Sequence, residues 1–175
     1  MNRLLIALIA LGLSAGIASA QDMAGCYVNL LGPLAADPGE TITFTFYAYN
    51  GSADGEGTSE VQFRFPDTFN VLDGTYDDGG AGWLFDFSVS GDYDQYAHFI
   101  DADGGEGEIQ PGNGGYFYVT VYVSSNTECG PYNLHWKQYG DEVGEPQHWI
   151  GGDLPFVVCP VATESKAFSN VKSLY

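Results

Sequence analysis

The stretch TITFTFYAY, residues 41–49, alternates apolar and polar side chains along its whole length. Successive side chains of a strand point to opposite faces, so a period of two fits a strand with one buried face and fits no helix. Ile42, Phe44, Phe46 and Ala48 would turn to a core, and the threonines, Tyr47 and Tyr49 to solvent. The pattern recurs down the chain. VQFRF (61–65) sends Val61, Phe63 and Phe65 inward and Gln62 and Arg64 outward, and WLFDFSV (83–89) buries Trp83, Phe85, Phe87 and Val89. YFYVTVYV (116–123) buries Phe117, Val119, Val121 and Val123, YNLHWKQ (132–138) buries Tyr132, Leu134 and Trp136, and 154–158 forms the last strand. Weaker strands are expected at 26–31, around 70–72 and at 95–100. Clusters of Gly, Pro, Asn and Asp between them supply positive φ or a preset bend. About seven to nine short strands joined by such turns predict an all-β, antiparallel sandwich.

Composition supports burial and narrows the partners. A chain that is 45% hydrophobic and 15% aromatic has enough apolar surface to fold despite its charge. Residues 1–20 have the order of a signal peptide: Arg3, an apolar run from Leu4 to Leu13, then Ala18-Ser19-Ala20 as a small-x-small cleavage site. That run falls short of the roughly 20 residues a membrane span needs, and no later segment qualifies. Residues 21–160 are expected to form one domain, and 161–175 a tail with a short helix capped by Thr163 or Ser165 and faced by Phe168, Val171 and Leu174. Loss of Arg3 leaves 4 basic residues against 23 acidic ones, a net charge of 4 − 23 = −19. Nucleic acid and anionic membrane would be repelled. Met23-Ala24-Gly25-Cys26 resembles the box that precedes a lipidated cysteine, but Gln21 and Asp22 separate it from the apolar run.

The segment DPGETITFTFYAYNGSADGEGTSEVQFRFP resembles the first half of bacterial extracellular immunoglobulin-like repeat and cell-adhesion-related domains. Those show a Pro-Gly-Glu turn, an alternating strand ending in Asn, a loop, and a strand closed by Pro. IQPGNGGYFYVTVYV followed by CGPYNLHW is similar to their second half, and the likeness runs from Cys26 to Val158. It implies an immunoglobulin-like sandwich in an extracellular setting, and no particular activity.

Within such a topology strand parity brings distant residues together. If the last three strands form a meander, Cys129 and Cys159 lie at one end and Cys26 at the other, so Cys129–Cys159 is the expected disulfide. Cys26 is left as a buried thiol, a lipid attachment or an intermolecular bridge. The same parity sets Asp101, Asp103, Glu106 and Glu108 against Asp141, Glu142 and Glu145, with Asp54 and Glu56 joining from the 51–60 loop. An acidic end of this kind either stays solvated or holds calcium, which takes six to eight oxygen ligands from flexible loops. Asp73, Asp77 and Asp78 form a second acidic group. Tyr47 and Tyr49 on one strand, and Tyr116, Tyr118 and Tyr122 on its expected neighbour, face outward. They either simply suit a strand surface or build an aromatic patch for a sugar or a partner protein.

Enzyme signatures are sparse. His98, His135 and His148 lack metal-ligand spacing, and no serine sits in a nucleophile elbow. His135 reads as an ordinary surface histidine, Trp83 and Trp136 as core, and Asn50-Gly51-Ser52 matches a glycosylation acceptor. The expected function is a secreted or cell-surface, non-enzymatic interaction module of adhesion type, braced by calcium at its acidic end. Its partner would be an extracellular protein or polysaccharide. The alternatives are a carbohydrate-binding module using the tyrosine face and a secreted hydrolase using the clustered carboxylates.

Overall fold

The computed structural model describes residues 23–53, 55–77, 82–89, 95–101, 109–141 and 148–159, with the backbone alone at 87–89. The expected signal peptide (1–20), the expected C-terminal tail (161–175) and the acidic side chains of Asp54, Asp78, Asp103, Glu106, Glu108, Glu142 and Glu145 lie outside these residues. Ten strands follow one another: β1 (Tyr27–Gly32), β2 (Ala35–Ala36), β3 (Thr41–Tyr49), β4 (Thr58–Phe65), β5 (Phe69–Asp77), β6 (Leu84–Val89), β7 (Gln95–Ile100), β8 (Gly114–Val123), β9 (Gly130–Gly140) and β10 (Trp149–Val158). They form a four-stranded sheet in the order β1-β3-β8-β5 and a six-stranded sheet in the order β2-β10-β9-β4-β7-β6. No helix occurs among the described residues.

This arrangement is immunoglobulin-like. β1, β3, β8 and β5 stand where strands A, B, E and D stand in that fold, and β4, β9 and β10 where C, F and G do. The β6–β7 hairpin extends the second sheet beyond β4. Tyr132, near the start of β9, donates its hydroxyl to the Glu128 carbonyl four residues upstream at 2.9 Å. This is the tyrosine corner of such domains. Burial, then Glu128 and Asp67, raises the pKa of that phenol and keeps it a donor.

Two details depart from the sequence expectation. The strands among the described residues number ten because the first one divides after Gly32: β1 pairs with β3, and the chain then crosses to the other sheet as β2. The sheets are also not wholly antiparallel, since β2 runs parallel to β10 through Val157–Ala35 and Val158–Ala36. The chain keeps its direction as it changes sheets, and the edge strand it meets there runs the same way.

The inward faces fill one core. Phe44, Phe46, Phe63, Phe65, Phe69, Phe99 and Phe117 are fully buried, with Trp83 and Trp136 at its margin as expected. Rings from opposite sheets meet: Phe46 stacks on Phe63 at 4.0 Å between centroids, and Phe99 meets Phe117 edge-on at 4.8 Å. Such pairs add about 0.5–1.5 kcal/mol each to what burial supplies. At the end where β8 passes to β9, Cys129 and Cys159 are joined, with Cα atoms 5.1 Å apart.

The opposite end is organised around Asn50, which has no exposed surface. Its Nδ2 donates to the Glu56 and Ile109 carbonyls at 2.8 and 2.7 Å, and its Oδ1 accepts from Ser52 N at 2.9 Å and from the Cys26 thiol at 3.2 Å. One side chain thereby ties together the N-terminal segment, the β3–β4 loop and the residue that leads into β8. Asn50 is therefore no glycosylation acceptor in the folded protein, because an acceptor must reach the surface. Cys26 is enclosed in the same network, where Gly51 N also donates to its sulfur at 3.3 Å.

Candidate functional site

Three surfaces collect the candidate residues. The first is the outer face of the four-stranded sheet. Register sets Tyr47 directly opposite Tyr116 and Tyr27 opposite Tyr49. The Tyr47 and Tyr116 ring centroids are 5.0 Å apart and tilted, and Tyr27 and Tyr49 stack at 5.0 Å. Gly114 makes room for this cluster: a Cβ there would lie 2.4 Å from the Tyr47 hydroxyl. Burial and then the neighbouring Tyr27, Tyr116 and Tyr49 raise the Tyr47 pKa, which keeps that phenol protonated. Tyr116 and Tyr27 remain 42% and 41% exposed, which leaves ring surface for a ligand. Tyr118 sits further along β8 between Thr45 and Thr75. Tyr122 lies six residues from Tyr116, roughly 20 Å away at strand rise, beside Thr41 and Asn70. The structure thus gathers Tyr47, Tyr49 and Tyr116, adds Tyr27, and leaves Tyr122 apart.

The second surface is the loop end that the sequence marks as acidic. Asp101 and Asp141 both border the start of β4. Asp101 N donates to the Ser59 carbonyl at 2.8 Å, and the Asp141 carboxylate accepts from Gly57 N at 3.1 Å. Glu56 is enclosed here with His148, whose Nδ1 lies 3.0 Å from its carboxylate. Gly140 leaves the space for that carboxylate, since a Cβ would fall 1.6 Å from Glu56 Oε1. Asp141 and Glu56 are therefore engaged by the fold itself. Among the described residues no three His, Cys, Asp or Glu side chains gather in a group that could hold a metal ion. Asp73 and Asp77 face outward along β5, and the Asp73 carboxylate accepts from Gly74 N at 2.8 Å.

The third surface, which the sequence reading passed over, is the outer face of the six-stranded sheet. Register builds it in rows across β7, β4, β9 and β10: Tyr96–Arg64–His135–Asp153, His98–Gln62–Lys137–Gly151, and Ile100–Glu60–Tyr139–Trp149. A groove of about 230 Å³ opens among Gln62, Arg64, Tyr96, Lys137, Trp149 and Asp153. The Lys137 ammonium lies 4.5 Å from the centre of the Trp149 ring, and the Arg64 guanidinium lies 5.9 Å from that of Tyr96. His135 Nδ1 bonds the Asp153 carboxylate, and His98 Nδ1 bonds Glu60 at 2.9 Å. Burial, then Glu60 and Tyr96, raises the Tyr139 pKa. Alternation shows Gln62, Arg64 and His135 as outward, so half of the groove is readable in the sequence. The other half is hidden because β10 begins at Trp149, five residues before the apolar run that marks it.

No family model matches the chain, and no curated protein matches it. Solved structures do. The major pilin subunit of Bacillus cereus is similar over 77% of this chain and 40% of its own length, at 12% identity and a TM-score of 0.50. A cohesin–dockerin complex from Clostridium thermocellum matches 76% of this chain and 96% of its own, at 16% identity and a TM-score of 0.47. A protein that catalyses macrocyclization in alchivemycin A biosynthesis matches 76% and 88%, at 11% identity and a TM-score of 0.48. Among the described residues no helix is long and apolar enough to cross a membrane. At these identities the likeness is one of fold, and fold brings no activity with it. Sheet topology and the tyrosine corner agree on one description: the chain is an immunoglobulin-like β-sandwich.

Proposed function

We propose that this protein is a secreted or cell-surface, non-enzymatic interaction module that engages an extracellular protein or polysaccharide through the outer face of its four-stranded sheet. The cross-strand registration of Tyr27 with Tyr49 and of Tyr47 with Tyr116 carries this reading. Tyrosine offers a rigid apolar ring and a hydroxyl on only two side-chain torsions, so it covers contact area at low entropic cost. Four such rings at one end of the sheet form a platform that a sugar ring or an apolar side chain can cover. The signal-peptide pattern at residues 1–20 supports the extracellular setting. For any ligand found on a glycan array or an extracellular protein panel, the double variant Tyr47→Ala, Tyr116→Ala should bind about tenfold or more weakly, a loss of about 1.4 kcal/mol. Wild-type affinity in that variant would remove the face from consideration.

Calcium at the loop end is an accessory reading, supported by the convergence of Asp101 and Asp141 on the start of β4. Ions there would draw the acidic loops together and relieve their mutual repulsion. The melting temperature should rise in millimolar calcium and fall back on chelation. An unchanged melting temperature would sink the idea.

A further inference from the structure

The outer face of the six-stranded sheet carries a groove distinct from the tyrosine platform. We propose that its groove binds an anionic saccharide of the hexuronate class, with the sugar ring against Trp149 and the carboxylate against Lys137 and Arg64.

Charge is the first ground. The full chain holds 23 acidic residues and 5 basic ones, and the two Lys or Arg among the described residues, Arg64 and Lys137, both line this one groove. Register brings the two cations to adjacent rows of adjacent strands, with Gln62 opposite Lys137 and Arg64 opposite His135. Lys137 pairs with no carboxylate among the described residues; its ammonium rests over Trp149 instead. Among the described residues the one carboxylate lining the groove, Asp153, is bonded to His135. At physiological ionic strength screening confines the wider negative field to a Debye length of about 8 Å, so the groove's own charges decide what docks there.

Shape is the second ground. Trp149 is 57% exposed, a large apolar ring left open two residues before the pair Gly151 and Gly152. Gly151, beside Lys137, keeps the floor bare, since a Cβ there would fall 2.6 Å from the Trp136 carbonyl. The resulting space of about 230 Å³ suits one ring-sized unit. Gln62, His135 and Asp153 stand around it as hydrogen-bonding partners for hydroxyl groups. Flat aromatic faces with a few placed polar groups are how sugars are oriented. A peptide bound by strand addition would need a sheet edge, whereas β4 and β9 under the groove have neighbours on both sides.

The test is calorimetric titration of the full chain with a short oligogalacturonate, alongside the neutral galactose oligomer of equal length and short polyglutamate. Saturable binding of the uronate, about tenfold or more tighter than of the neutral oligomer, is expected. Lys137→Met and Lys137→Gln should each remove that preference while melting as the wild type does, and Trp149→Ala should weaken both sugars. Uronate binding should also quench or shift the fluorescence of the exposed Trp149, a change that Trp149→Ala should abolish. Absence of saturable uronate binding, equal affinity for the neutral oligomer, or indifference to Trp149→Ala would overturn the proposal. Polyglutamate binding as tightly as the uronate would overturn it too, in favour of a site for acidic peptides.

Discussion

Asn50→Ala is expected to be among the most damaging single substitutions in this protein. It removes four side-chain hydrogen bonds at once, to the Glu56 and Ile109 carbonyls and from Ser52 N and the Cys26 thiol. The site is closed to water, so the groups left behind are not resolvated in place. At about 1 kcal/mol per bond, and more where a buried partner is stranded, the loss is about 3 kcal/mol or more. For a domain of this length that is a fall in Tm of roughly 10 °C. Asn50→Asp separates the two halves of the network: the carboxylate keeps the acceptor toward Ser52 N but cannot donate to the two carbonyls, so it too should destabilise. Thermal and denaturant unfolding measure both variants. A change below about 1 kcal/mol in Asn50→Ala, the net value of a single bond, would show that the network is not the brace of this end.

The second large effect concerns the far end. Cys129 and Cys159 close a loop of 30 residues, and loop-closure entropy makes that bond worth roughly 3.5 kcal/mol. The double variant Cys129→Ser, Cys159→Ser, which avoids leaving a single reactive thiol, should lose stability by about that amount and become as sensitive to denaturant as the wild type under reducing conditions. If wild type and double variant unfold together under oxidising conditions, the bond contributes nothing and the β9–β10 pairing alone holds this end. Because Asn50 and the disulfide sit at opposite ends of the sandwich, their effects should add.

Much of the fold was legible because its signal is local. A two-residue period states which side of a strand is buried without reference to anything distant, and Phe44, Phe46, Val61, Phe63, Phe117 and Leu134 all lie on the face their parity assigns. Where local signal was weak, the reading was shorter than the structure. β5 runs to Asp77 although only its first residues are apolar, because Thr75 and Tyr76 pair with β8 through backbone bonds. The start of β10 escaped for the same reason: Gly151 and Gly152 are poor strand formers, held in line by β9. The division of the first strand was not legible either, since β2 exists only because the β10 edge is there to receive it.

The surfaces divide in the same way. The tyrosine face was readable once β3 and β8 were taken as neighbours, but Tyr27 joins it only through the register of β1. The convergence of Arg64, Lys137, Tyr96 and Trp149 was not readable at all, as they come from four strands spread over 86 positions, from 64 to 149 counting both ends. By itself the sequence determined which side chains are inward, which are outward, that the chain is all-β and that cations are scarce in it. Only the tertiary structure decided which outward residues become neighbours. That choice rests on the order and register of strands, set by the packing of the whole core and carried by no single segment.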